Sequence, residues 1–161
     1  MSTPPKPDPD IYLKLRANAL QAPFPQAAGD SIQLVLMDWH LATGTSTVLV
    51  ASDGTASIYL SNGGGFIGAG QKSKTVHALA IVAVELARSL ASHCVPTDTV
   101  DLPPPGQVFF YLRSRTGLRL GIATEAALSA GTDPLAALGT AMQKIVSAYR
   151  VISAQQSTKK P

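Results

Sequence analysis

Residues 31–60, SIQLVLMDWHLATGTSTVLVASDGTASIYL, decide the fold. Residues 31–41 are rich in β-formers and read as a strand. Thr43-Gly44 makes a tight turn into a second strand over 47–51. Ser52-Asp53-Gly54-Thr55 is a hairpin signal, because Asp-Gly readily takes the positive φ angles of a primed turn. Residues 55–60 then return as a third strand. Links this short cannot carry a parallel crossover, so the sheet starts antiparallel.

Upstream, Asp10 precedes a helix over 11–21 with Ile11, Leu15 and Ala19 at four-residue spacing, and Pro23 and Pro25 end it. Downstream, 62–70 (NGGGFIGAG) opens onto a helix over 73–92. Its Val76, Leu79, Ala83, Leu86 and Leu90 hold one face. Ala80, Ile81, Val82, Val84 and Ala87 carry the apolar surface most of the way round, so more than one layer is expected to cover this helix. Pro96 and Pro103-Pro104-Pro105 mark an extended connector.

A second hairpin spans 107–124 with Arg115-Thr116-Gly117 as its loop. A three-residue loop sets Arg113 opposite Arg119. One face then carries Val108, Phe110, Leu112, Leu118, Leu120 and Ile122, and the other Phe109, Tyr111, Arg113, Arg119 and Gly121. Asp133-Pro134 starts a last helix running to about Ser153, with Leu135, Leu138, Met142, Ile145, Tyr149 and Ile152 inward.

The order α-β-β-β-α-β-β-α predicts an α+β fold: a five-stranded, mainly antiparallel sheet with helices packed on it. Residues 10–154 form one domain, between a disordered Pro-rich stretch (1–9) and a disordered polar tail (155–161). This order resembles the profilin-like group that includes roadblock and longin domains. The likeness implies a shape and no function.

The 161 residues are 45% hydrophobic, 6% aromatic and only 14% charged, against about 25% charged in ordinary soluble domains. That excludes a disordered chain. A net charge of +3 is too small for a phosphate-tracking surface, so no nucleic-acid partner is expected. A single cysteine, Cys94, excludes a disulfide framework. The first residues contain no apolar run of a secretory leader, and His77, Glu85 and Arg88 interrupt the apolar stretch 76–91. A cytoplasmic location without membrane contact is the expectation.

The least ordinary feature is the glycine segment: five of the eight positions 63–70 are glycine. Placed before a helix start, such backbone presents free N–H groups and the positive end of the dipole, as phosphate sites do. Residues 65–73 (GFIGAGQKS) nearly spell a P-loop. Gln71 separates the last glycine from Lys72, however, and turns the lysine by about 100°. No acidic strand end follows, and 34–38 (LVLMD) precedes the loop. A dinucleotide fingerprint fits Gly63, Gly65 and Gly68 literally but lacks a parallel βαβ unit, and Glu85 stands mid-helix. An anion site of Gly63, Gly64, Gly65, Gly68, Gly70, Lys72, Lys74 and Thr75 remains, beside the plain reading of a glycine turn from sheet to helix.

Other candidates are weaker. Asp38 and His40 share one side of their strand and Trp39 takes the other, which reads as a strand-end hydrogen-bonding group. His77 lies on the first turn of the 73–92 helix and His93 and Cys94 at its end, and three scattered histidines give no metal spacing. Ser57 and Ser61 have no base in sequence view. Phe109, Tyr111, Arg113, Arg115 and Arg119 group at one hairpin and could receive an acidic partner.

The stretch 52–70 (SDGTASIYLSNGGGFIGAG) is similar to a motif of small bacterial proteins, with a DGT turn, an SxY strand and a GGGxIGxG exit. The likeness covers 19 residues and implies a bacterial source, and it brings no activity, cofactor or catalytic residue. The expectation is therefore a non-enzymatic, self-associating interaction or regulatory module, most simply a homodimer, with no catalytic residue, metal or cofactor. The alternative is a small-ligand or anion-binding protein using the glycine segment.

Overall fold

The computed structural model describes residues 9–24, 29–63, 65–66 and 73–158. Four helices and seven strands follow as α1 (Pro9–Gln21), β1 (Leu34–Leu41), β2 (Gly44–Ala51), β3 (Ala56–Leu60), β4 (Gly65–Phe66), α2 (Lys74–Leu90), β5 (Val95–Thr97), β6 (Gln107–Arg113), β7 (Leu118–Thr124), α3 (Glu125–Ala130) and α4 (Ala136–Thr158). They form one sheet in the order β4-β3-β2-β1-β6-β7-β5, antiparallel at every pairing. The expected five strands are its long members. Two short edge strands bring the count to seven: β4 inside the glycine segment and β5 at Pro96.

β1 lies at the centre between β2 and β6. Helices cover one of its faces and α1 with the 98–105 connector the other. This is why its sequence is almost continuously apolar rather than alternating. On the helix face Val35, Met37, Val48, Val50, Ile58, Val108, Phe110 and Leu112 meet Val76, Ala80, Ala83, Val84 and Ala87 of α2 and Leu138, Met142, Ile145 and Tyr149 of α4. On the other face Leu34, Leu36, Leu49, Tyr59, Phe109 and Tyr111 meet Tyr12 and Leu20 of α1. Side chains as fully enclosed as Leu36, Phe110 and Leu112 each contribute roughly 1.5–3 kcal/mol by leaving water.

Several local expectations change. The Asp53-Gly54 turn is not primed, because no residue other than glycine has positive φ among those described. Gly54 N–H donates to the Ala51 carbonyl and Ala51 N–H to that of Thr55, with Gly54 alone at φ +87°. A Gly bulge after an ordinary turn has that pattern. In α1 the buried stripe is Tyr12, Arg16 and Leu20, whereas Ile11 is exposed. α3 is an addition to the expected elements: Thr124 caps it, its Oγ1 accepting from Ala127 N–H, and Gly131 closes it in the left-handed region. Helix α4 runs to Thr158, so 155–158 are helical rather than a disordered tail. The span Lys74–His93 is long and apolar enough to cross a membrane. Here one side of α2 is buried on the sheet.

The largest correction is the register of the β6–β7 hairpin. Arg113 faces Leu118 and Leu112 faces Arg119, because Ser114 joins the loop and its N–H donates to the Gly117 carbonyl. That one-residue slip turns all of β7 over. Leu118 and Leu120 point to the α1 side. Arg119, Gly121 and Ala123 point to the α2/α4 side.

Candidate functional site

The helix layer does not cover the whole sheet. Where β1 and β2 begin and end near the Asp53-Gly54 turn, α2 lies across them. At the opposite end of β1, β2 and β3 the helices that approach among the described residues are α4 and, beside Trp39, α3. A hollow of about 230 Å³ opens there between the sheet and α4. Its floor follows from the pairing: Met37 opposite Val48, Trp39 opposite Ser46, Val48 opposite Ile58 and Ser46 opposite Leu60. All of these project to the same face, and Leu41 continues the row at the strand end. α4 supplies the wall with Gln143, Val146, Tyr149 and Arg150.

Two contacts hold this geometry. Trp39 Nε1–H donates to Glu125 Oε1 on the first turn of α3, which fixes the indole. Tyr149 O–H donates to the Ala56 carbonyl at 2.7 Å and ties α4 to the sheet. Past Trp39 and Gln143 a second hollow of about 250 Å³ continues between α3 and α4, reaching Leu128, Gly139 and Thr140. Trp39 and Gln143 line both hollows and form the waist of one groove.

The polar lining is sparse. The side chains of Ser46, Gln143 and Arg150 have no hydrogen bond or ion pair among the described residues. An apolar hollow with a few uncommitted polar groups is the usual form of a ligand site.

A second polar cluster lies beneath α1. Asp38 is wholly buried and receives Arg16 Nη2 at 2.6 Å, Arg16 Nε at 3.1 Å and Thr47 Oγ1 at 2.5 Å. Arg16 also donates to the carbonyls of Val100 and Asp101, and Tyr111 O–H donates to the same Asp101 carbonyl. Tyr12 O–H shares a 2.6 Å hydrogen bond with Thr47. Burial pushes the Asp38 carboxyl above the usual carboxylate range, opposed by its hydrogen bonds and by the charge of Arg16. Burial likewise lifts the Tyr12 hydroxyl to about 12. No buried side-chain polar atom among the described residues lacks a partner. The cluster is closed to water and internally satisfied, so its work is to pin α1 and the 98–105 connector to the sheet. His40 is not among Asp38's partners.

Half of the expected anion site, Gly64, Gly68, Gly70 and Lys72, lies outside the described residues. Gly63 bends the chain after β3, its N–H donating to the Leu60 carbonyl, and Gly65 pairs with Tyr59 in β4. Lys74 and Thr75 are exposed on the first turn of α2, where Ser73 Oγ accepts from Val76 N–H.

The expected hairpin cluster is not one surface. Phe109 and Tyr111 are buried under α1, and Arg113 lies 4.4 Å over the Phe24 ring with Nη1 donating to the Ala19 carbonyl. Arg115 is exposed at the turn. Arg119 sits on the opposite face, donating to the Cys94 carbonyl. Cys94 is buried, and burial pushes its thiol up to about 11. Among the described residues no three His, Cys, Asp or Glu side chains are grouped to hold a metal ion.

The groove was invisible in the sequence because it is defined by what does not cover Trp39, Leu41 and Leu60. Arg16–Asp38 had one legible signal, an arginine on the stripe of α1 that also carries Tyr12 and Leu20. Comparison with family models, with curated proteins and with solved structures returned no match.

Proposed function

We propose that this protein is a non-enzymatic binding module whose working surface is the groove between α4 and the open end of β1–β3, and that it takes a small apolar or amphipathic molecule. The observation that carries the reading is the 230 Å³ hollow floored by Met37, Trp39, Val48, Ile58 and Leu60 with Ser46, Gln143 and Arg150 uncommitted at its margin. The satisfied state of the Arg16–Asp38 cluster supports a structural rather than a chemical task for it. The profilin-like comparison stays a proposal about shape and names no ligand.

Trp39 is the only tryptophan in the chain and lines the groove, so its emission reports directly on occupancy. Titration with 1-octanol should shift that emission and saturate. Val146→Phe, which fills the groove from α4, should abolish the response while leaving the far-ultraviolet circular dichroism unchanged. An emission shift that persists unaltered in Val146→Phe would remove the groove as the site.

Self-association is a second reading, favoured by α2. Ile81 and Val82 remain 38% and 52% exposed on its outer side, next to exposed Ala78. Such a patch suits a second copy of the chain. Sedimentation equilibrium at micromolar concentration should give a dimer that Val82→Glu dissociates; a monomer throughout excludes it.

A further inference from the structure

We infer that the groove beside α4 is specific for a medium-chain monocarboxylate, with the carboxylate held by Arg150 and the hydrocarbon laid over Trp39 toward Leu60. This rests on the reading of the groove as a ligand site and adds the chemical class of the ligand.

Three features select that class. Arg150 is exposed at the mouth of an otherwise apolar hollow and has no ion-pair or hydrogen-bonding partner among the described residues. A guanidinium fork matches one carboxylate through two parallel hydrogen bonds. It is the only charged side chain lining this hollow among the described residues. A dianionic phosphate would leave most of its charge uncompensated against apolar walls, so a single negative charge fits better. Gln143 and Ser46 add neutral donors for a second oxygen without adding charge.

The walls set the rest of the molecule. Met37, Leu41, Val48, Ile58, Leu60 and Val146 offer no polar group to an occupant. An extended peptide would bring backbone amides against them, each costing free energy unless paired. The strand hydrogen bonds of β1, β2 and β3 are already made with one another. A hydrocarbon chain meets no such penalty. The volume limits its length: 230 Å³ lies below the roughly 300–1,000 Å³ of sites for drug-sized ligands. The second hollow past Trp39 gives a longer chain somewhere to continue.

The test compares octanoate, 1-octanol and octylamine on the full chain, each below its aggregation limit, read by Trp39 emission and by isothermal titration calorimetry. Octanoate should bind most tightly, octanol more weakly and octylamine least, since Arg150 repels an ammonium. Arg150→Gln should weaken octanoate by about tenfold or more, the value of a hydrogen bond to a charged group. It should leave octanol unchanged. Arg150 is exposed, so the variant is expected to fold, and Arg150→Lys should restore part of the preference for octanoate. Equal affinity for octanoate and octanol, or an unchanged octanoate affinity in Arg150→Gln, overturns the carboxylate assignment and leaves the groove standing. Absence of binding by all three in both measurements overturns the groove reading itself.

Discussion

Arg16 and Asp38, on α1 and β1, form an ion pair of 2.6 Å with side chains 5% and 0% exposed. Charges so deeply buried lose their hydration, and only close pairing and further hydrogen bonds offset that loss. Here Thr47 and the carbonyls of Val100 and Asp101 complete the set. The guanidinium also stands 5.3 Å from the centre of the Tyr111 ring.

Removing either partner should therefore be severe. Asp38→Ala and Arg16→Ala are each expected to cost about 3–5 kcal/mol, because a lone buried charge is left behind. The double variant should cost less than the sum of the two. Urea denaturation of the four proteins measures this coupling, and strictly additive losses would show that the two side chains act independently.

Stability should fall on the alkaline side. Burial raises the Cys94 thiol from 9.0 to about 11 and the Tyr12 hydroxyl from 10.0 to about 12. The folded chain then holds both protons more tightly than the unfolded chain. Their contribution is complete below pH 9 and is lost as pH rises through 11 and 12. Cys94→Ala should flatten the slope of denaturation free energy between pH 9 and 11, whatever it does to the absolute value. An identical slope in the variant would contradict the buried thiol.

Gly54 should resist replacement. Its φ of +87° is a left-handed conformation, and an added Cβ would lie 2.1 Å from His77 Nδ1 on α2. Gly54→Ala is expected to cost about 1–2 kcal/mol from backbone strain and crowding together. Adding His77→Ala should return the crowding share and leave the strain. Thermal melts of the single and double variants separate the two.

Gly121 tests the hairpin register. With Gly121 opposite Phe110, an added Cβ meets Leu135 Cδ1 at 2.5 Å and Cys94 Sγ at 2.8 Å. Overpacking of this kind costs about 1–3 kcal/mol. Gly121→Ala should thus destabilise the protein although alanine has the better strand propensity. In the three-residue-loop register the same glycine would face α1 instead, and Leu135 and Cys94 would not oppose the change.

Much of the site could not be read in advance, for reasons tied to particular residues. The apolar run of β1 announced a buried strand, but not which layer would bury each side. Trp39 lies on the face opposite Asp38, as strand alternation implies. Its partner Glu125 sits 86 positions away on a helix the sequence did not disclose. The Arg115-Thr116-Gly117 loop fits three residues or four with Ser114, and local propensity does not separate them. Packing at Gly121 does, since an added side chain there would meet Leu135 and Cys94.

The sequence by itself determined the class of fold. Short links at Thr43-Gly44 and Asp53-Gly54 force antiparallel neighbours, and the apolar spacings of 73–92 and 133–153 supply the helices that cover them. Those are local properties, set by loop reach and by the periodicity of side chains. The tertiary structure alone decided that Arg16 would neutralise Asp38, that β7 would turn over by one residue, and that α4 would leave Trp39 and Leu60 beside an open groove. Each depends on which surfaces meet across long separations in the chain, and no local pattern encodes that.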